Sequence, residues 1–199
     1  EIEALLAEHR QELAFEPLDY RPLLGVDQDR PGGTIGGVLA ANLSGPRRIK
    51  AGAARDHILG IEAVSGRGES FKSGGRVVKN VTGYDLSKAM AGSWGTLAAV
   101  SSLTFKVLPA SETETTLVLH GLEDEPAITA MASAMGSSAE VSGAAHLPYT
   151  VAAKALDGAL AGRPATLLRV EGFGPSVDYR IGYLTSLLKG AGELSTLRV

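Results

Sequence analysis

The chain has 199 residues, of which 44% are apolar and 21% charged, with a formal net charge of −3. That balance excludes a disordered tract, and no apolar run approaches the roughly 18 residues of a membrane-spanning helix. There is no cysteine, which excludes disulfides, thiolate metal sites and iron–sulfur ligation in these residues, and the basic residues are too dispersed for a nucleic-acid footprint.

The first 14 residues are expected to be helical, because Ile2, Leu5, Leu6, His9 and Leu13 fall near one face with charges opposite. This segment has no signal-peptide pattern and no initiator Met, so the chain is expected to begin mid-protein or after processing. The Pro- and Asp-rich stretch from Pro17 to Pro31 should break any helix. Residues 32–45 read as a glycine-rich loop leading into Val38–Asn42. His57 to Ser65 is apolar enough for a buried strand, Gly66-Arg67-Gly68 for a tight turn, and Glu69 to Lys72 for the return strand. A second loop, rich in glycine and basic residues, runs from Ser73 to Gly83. Asp85 to Ala91 suits a short helix, capped by Asp85 and stopped by Gly92. Gly95 to Leu108 is a long apolar run that ends at Pro109.

Beyond Pro109 the glycine-rich loops stop and a regular alternation begins. Thr113 to His120 reads as a strand. Asp124 to Met135 reads as a helix with Ile128, Met131, Ala132 and Met135 on its buried face. Ser138 to Ala145 and Thr166 to Glu171 read as strands. Ser176 to Lys189 reads as a helix with Ser176 as N-cap and Val177, Ile181, Leu184 and Leu188 inward, and Leu194 to Leu197 as a last strand. The order β-α-β-β-α-β is that of a split βαβ, ferredoxin-like unit. A domain boundary is therefore expected near residue 110.

The most specific local chemistry lies in Gly32-Gly33-Thr34-Ile35-Gly36-Gly37. Such a segment lets backbone N–H groups approach a phosphate, and a helix opening there adds a favourable dipole. A tight turn needing positive φ is the equally open alternative. Two nucleotide fingerprints do not fit: there is no G-x-x-x-x-G-K-[ST], and no G-x-G-x-x-G between a strand and a helix.

Further motifs follow in order: Ala40-Ala41-Asn42-Leu43-Ser44-Gly45, Gly52-Ala53-Ala54-Arg55-Asp56, Lys79-Asn80-Val81-Thr82-Gly83-Tyr84-Asp85-Leu86 and Gly92-Ser93-Trp94-Gly95-Thr96-Leu97. This succession, over residues 1–110, resembles the second half of the FAD-binding domain of the vanillyl-alcohol-oxidase-type (VAO/PCMH-type) flavoproteins. Within them it looks most like the FAD-binding subunits of bacterial glycolate oxidases. The fold class the resemblance implies is α+β: residues 1–110 as the C-terminal subdomain of the FAD-binding domain, and residues 111–199 as an incomplete ferredoxin-like α/β cap.

The resemblance implies a site, position by position. Gly33, Thr34, Ile35, Gly36 and Gly37 would face the ribityl and pyrophosphate of FAD, with Asn42 near the same wall. The segment from Gly52 to Asp56 would run beside the isoalloxazine or ribityl. Gly83, Tyr84, Asp85, Gly92, Gly95 and Thr96 would line the cofactor cleft, and Val100 would offer backbone hydrogen bonds. Blander roles stay open: Asn42 as a turn residue, Asp56 as a cap or partner of Arg55, Tyr84 as core, Asp85 as an N-cap only. Two departures stand out. Trp94 occupies a position where the family often has Glu, and an aromatic there can stack but cannot accept as a carboxylate does. The family's first FAD subdomain, with its own glycine-rich loop, normally precedes this region and is absent here, so FAD binding is expected of the intact protein and the isolated fragment is expected to be inactive.

The basic residues Arg47, Arg48, Lys50, Lys72, Arg76 and Lys79 could balance phosphate or contact a carboxylate substrate, although a solvated loop face is favoured. No histidine pair has metal-ligand spacing, so no metal site is expected. Asn42-Leu43-Ser44 and Asn80-Val81-Thr82 fit the glycosylation pattern but fall in the implied cofactor loops, and glycosylation is rejected. No Ser/His/Asp set or carboxylate pair stands out, which agrees with an enzyme whose cofactor does the redox chemistry. The resemblance implies an FAD-dependent subunit that oxidises glycolate or a similar small 2-hydroxy acid. It would work with a second flavoprotein subunit and an iron–sulfur subunit, in the cytoplasm or held at the inner membrane by those partners. The alternative is a non-catalytic scaffold that keeps the fold without FAD.

Overall fold

The computed structural model describes residues 1–27, 29–30, 32–78, 83–158, 160 and 162–198, apart from the side chain of Asp157. Contacts divide the chain into two compact units, Glu1–Ala110 and Ser111–Val199.

The first unit is assembled from short pieces. It opens with α1 (Ile2–Glu8) and β1 (Gln11–Glu12), followed by α2 (Arg21–Leu24), α3 (Ile35–Ala40), α4 (Arg48–Ala51) and α5 (Ala54–His57). Then come β2 (Ile58–Ser65), β3 (Ser70–Gly74), α6 (Leu86–Met90), β4 (Ala98–Phe105) and β5 (Leu108–Pro109). An antiparallel sheet has the order β3-β2-β4, while β1 pairs with β5 in a separate two-stranded ladder. Leu39, Ile58, Ile61, Ala63, Met90 and Ala98 make one core, and Leu13, Phe15 and Ala54 make another.

Several elements differ from the sequence expectation. The helix expected over residues 1–14 stops at Glu8, because Arg10 turns to φ 53° and Gln11 pairs with Pro109. Leu13 is buried, but beside Phe15 and Ala54 and not on a helix face. The proline-rich stretch accommodates one helical turn, α2, with proline in its first turn, where the missing N–H is tolerated. The glycine-rich segment turns helical at Ile35, three residues before Val38. The return strand runs on to Gly74. Of the second loop, Lys79, Asn80, Val81 and Thr82 lie outside the described residues.

The second unit follows the expected order β6 (Thr113–His120), α7 (Asp124–Met135), β7 (Gly143–Leu147), β8 (Ala165–Gly172), α9 (Gly174–Leu187) and β9 (Glu193–Arg198). One unexpected helical turn, α8 (Tyr149–Ala152), is followed by a 3-10 turn over Ala155–Gly158. The sheet order β7-β8-β6-β9, antiparallel throughout, is the split βαβ arrangement. On one face Leu117, Leu119, Leu168 and Val170 pack against Ala127, Ala130, Ala134, Val177 and Leu184. On the other face Val118 and Ala165 meet Ala152 and Leu160.

Here α7 turns a different face inward from the one expected. The buried positions are Ala127, Ala130 and Ala134, and Ile128 is 62% exposed. Small residues let the helix lie close on the sheet, while Met131 and Met135 pack at the margin. β7 begins at Gly143, because residues 138 and 139 lie in a turn and Glu140 takes φ 51°. α9 begins at Gly174, capped by the backbone of Phe173 and not by Ser176, with proline in its first turn. Among the described residues no helix is long and apolar enough to cross a membrane.

Candidate functional site

The candidate residues of the first unit gather around α3. Thr34 is its N-cap: Gly37 N–H donates to Thr34 Oγ1 at 3.1 Å, which satisfies one of the N–H groups a helix start leaves over. At the other end Asn42 adopts φ 51°, a conformation Asn tolerates, and its Oδ1 accepts from Arg55 N–H at 2.9 Å. Leu43 O accepts from Ala54 N–H at 3.0 Å, so α5 is tied directly to the end of α3. The loop after α6 is tied to the same place, since Gly92 N–H donates to Leu39 O at 3.1 Å and Trp94 N–H to Ala40 O at 2.9 Å. Thr34–Asn42, Gly52–Asp56 and Gly92–Thr96, distant in sequence, thus share one short helix.

The glycines of this region fall into two kinds. At Gly45, Gly60 and Gly74 an added Cβ would run into backbone atoms, and at Gly52 into the Asp56 carboxylate; at Gly60 the obstacle is Gly75 N at 2.6 Å. Gly52 also has φ 83°. Asp56 Oδ2 accepts from Ala53 N–H at 2.9 Å, so Gly52 and Asp56 together form the tight entry to α5. Gly33, Gly36 and Gly37 are of the other kind. None has positive φ, a Cβ at Gly33 would meet nothing within 4 Å, and at Gly36 and Gly37 it would meet only Thr34 Oγ1, at 3.8 and 3.4 Å. Among the described residues, neither conformation nor packing calls for glycine at these three positions.

Ile35 and Gly36 also line a cleft of about 360 Å³, together with Val100, Leu103, Phe105 and Val107 and with Ile2, Leu6 and Leu13. Val100 lies on β4, an edge strand whose alternate backbone groups are open on the side away from β2. The share of α1 in this wall was not legible in the sequence, because it depends on the β1–β5 ladder.

Asp85 caps α6, accepting from Lys88 N–H at 3.2 Å and pairing with Lys88 Nζ at 3.1 Å. Burial pushes its pKa up, but the hydrogen bonds from Lys88 and the positive charges of Lys88 and Arg55 outweigh this and hold it below the ordinary carboxylate range. Tyr84 is 90% exposed, which removes the reading of it as core. Gly83, Gly92 and Gly95 have φ 82°, 79° and 72°, so their backbone alone calls for glycine. Thr96 Oγ1 donates to Ser93 O at 2.6 Å and closes the loop on itself.

Of the basic residues, Arg47 pairs with Glu12 at 2.6 Å, Arg48 reaches Ser44 at 3.4 Å and Lys72 pairs with Glu62 at 2.5 Å. These three brace loops and a strand pair. His57 is 2% exposed, with Nε2 on Ala51 O at 2.8 Å and its ring beside Phe15. It is a structural histidine. Among the described residues no cluster of His, Cys, Asp or Glu could hold a metal ion.

Residues 3–74, which contain α3 and the three open glycines, match the family described as FAD binding domain. Glycolate oxidase subunit GlcE of Escherichia coli (strain K12) is 43% identical over 108 residues, covering 54% of this chain and 28% of that protein. Glycolate oxidase subunit GlcD of Bacillus subtilis (strain 168) is 41% identical over 85 residues, covering 43% of this chain and 18% of that protein. A D-lactate dehydrogenase of Archaeoglobus fulgidus is 37% identical over 86 residues, 43% of this chain and 19% of that protein. The chain thus matches less than a third of the length of these relatives. An alkyldihydroxyacetonephosphate synthase structure shares the fold over 99% of this chain and 37% of its own, with TM-score 0.70 at 17% identity. The α+β architecture holds for both units, and the stretch that matches the FAD binding domain family contains Gly33, Gly36 and Gly37.

Proposed function

We propose that this chain is part of an FAD-binding subunit of a flavin-dependent 2-hydroxy-acid oxidoreductase acting on glycolate or a similar acid. The observation that carries the reading is the row Gly33, Gly36 and Gly37, kept free of side chains beside a helix start although nothing among the described residues requires it. A pyrophosphate needs such a close backbone approach. The residues fit FAD: Gly33 to Gly37 would form the wall against its phosphates and ribityl, with Gly92, Gly95, Thr96 and Val100 along the cleft. Asn42, Gly52, Asp56, Gly83 and Asp85 would hold these segments in place, as their hydrogen bonds and backbone angles support, and Tyr84 would stand exposed at the rim.

When bound, FAD would take up two electrons from the acid; the residues named here bind and orient it. The names of the glycolate oxidase relatives support a multisubunit assembly. In it we place a second flavoprotein subunit and an iron–sulfur subunit, whose cluster would lie outside this cysteine-free chain. The location proposed is cytoplasmic, with any membrane attachment supplied by those partners. The test is the visible absorbance spectrum of the full-length protein after incubation with excess FAD and desalting. Retained flavin bands are the expected result, and a full-length protein that stays colourless rules the reading out.

A further inference from the structure

We infer that Arg55 is a substrate-binding residue whose guanidinium takes the carboxylate of a small 2-hydroxy acid, an inference that rests on the FAD reading above and extends it from cofactor to substrate. The main chain around Arg55 is fixed from both sides. Asn42 Oδ1 accepts from Arg55 N–H at 2.9 Å, Ala54 before it is fully buried, and Asp56 after it accepts from Ala53 N–H at 2.9 Å. The side chain has no such tie. Arg55 is exposed, and among the described residues its guanidinium makes no hydrogen bond and no ion pair. Asp56 is not its partner: consecutive residues of a helical turn do not face each other, and the Asp56 carboxylate is turned to the entry of α5.

The surroundings leave this charge uncompensated. α5 touches α6, at whose start Asp85 stands. Burial raises the Asp85 pKa, and the bonds from Lys88 with the charges of Lys88 and Arg55 lower it further, so Arg55 lies within electrostatic reach. Asp85 is already engaged, since it accepts from Lys88 N–H and pairs with Lys88 Nζ at 3.1 Å. Elsewhere in the first unit Arg21, Arg47 and Lys72 pair with Asp19, Glu12 and Glu62. A guanidinium on a fixed main chain, with no carboxylate of its own, can present two parallel N–H donors to a carboxylate from outside. Its place suits a substrate and not the phosphates. The open glycines stand at the start of α3, and Arg55 is bonded to Asn42 beyond its end. At roughly 1.5 Å per residue, the 6 residues of α3 put about 9 Å between them. An anion held by Arg55 is therefore a separate group from a phosphate held at the glycines.

The test uses the full-length protein loaded with FAD and titrated with oxalate, a carboxylate probe with no C–H bond to oxidise, read from the shift of the flavin absorbance bands. Arg55→Met, which keeps the reach of the side chain and removes its charge, is expected to weaken oxalate binding about tenfold or more, with FAD affinity within about threefold of the parent. Arg55→Lys keeps the charge without the paired donors and should fall between the two. Arg67→Met, in the exposed turn between β2 and β3, should match the parent in both measurements. Unchanged oxalate affinity in Arg55→Met overturns the inference and leaves the FAD reading intact, as does a parent that retains FAD but binds no oxalate. Equal losses of FAD and oxalate affinity in Arg55→Met make the residue a contact of the cofactor and also overturn it. A parent that retains no FAD overturns both.

Discussion

A methyl group added at Gly45 would run into the backbone carbonyl of Glu16, and no side-chain movement can make room for it. Gly45→Ala is therefore expected to destabilise the protein by about 3 kcal/mol, read from urea denaturation. Gly36→Ala should behave in the opposite way. It lies inside α3 with open space at its Cβ, so it should gain up to about 1 kcal/mol in stability from helix propensity while losing FAD affinity. An Ala at position 36 that binds FAD as well as the parent would undo the case for the open glycines. Asp85 offers a pH test. Its folded pKa lies below the ordinary value, so its contribution is present above the ordinary carboxylate range and is lost as pH falls through its folded pKa. Asp85→Ala should remove that acid-side slope and about 1 kcal/mol of capping stability at neutral pH. The side chain is 47% exposed, so the charge part of this effect should fade in high salt. The sequence picks out Gly32 to Gly37 as a motif but leaves open whether they serve a turn or a ligand. What separates the two roles is which atoms lie within reach of an absent Cβ, and that is a property of the folded chain.

Elements fixed by local pattern were legible, and elements fixed by distant partners were not. β6 and α7 run over the residues expected for them. Inside α7, periodicity favoured the larger side chains for burial, but the close approach of helix and sheet selected Ala127, Ala130 and Ala134. Ala130→Leu should accordingly cost about 1–3 kcal/mol through overpacking, whereas Ile128→Lys should change stability by less than about 0.5 kcal/mol. Thermal denaturation of the two variants checks this, and the reverse ranking would restore the face that periodicity suggests. The same limit applies to α1. Its apolar spacing continues to Leu13, but strand pairing at Gln11 overrides it. At α9, Pro175 in the first turn moves the start to Gly174, so the serine that looks like a cap lies within the helix.

At the scale of the whole molecule the two units keep their shape by different means. The second is a regular sheet with apolar packing on both faces. The first has smaller cores and relies on turns, caps and backbone bonds into α3. That difference explains why motif order was the better guide before residue 110 and periodicity the better guide after it. The β1–β5 ladder also sets a condition on how the first unit forms. Gln11 and Glu12 meet Pro109 and Leu108, partners separated by roughly a hundred residues, so this contact has one of the highest sequence separations available to the unit. It also brings the helix bearing Ile2 and Leu6 to the cleft wall that includes Val107. During synthesis Gln11 and Glu12 must therefore wait for residue 109 to leave the ribosome before they can pair. The cleft wall would be completed only then, after most of the unit had already been made.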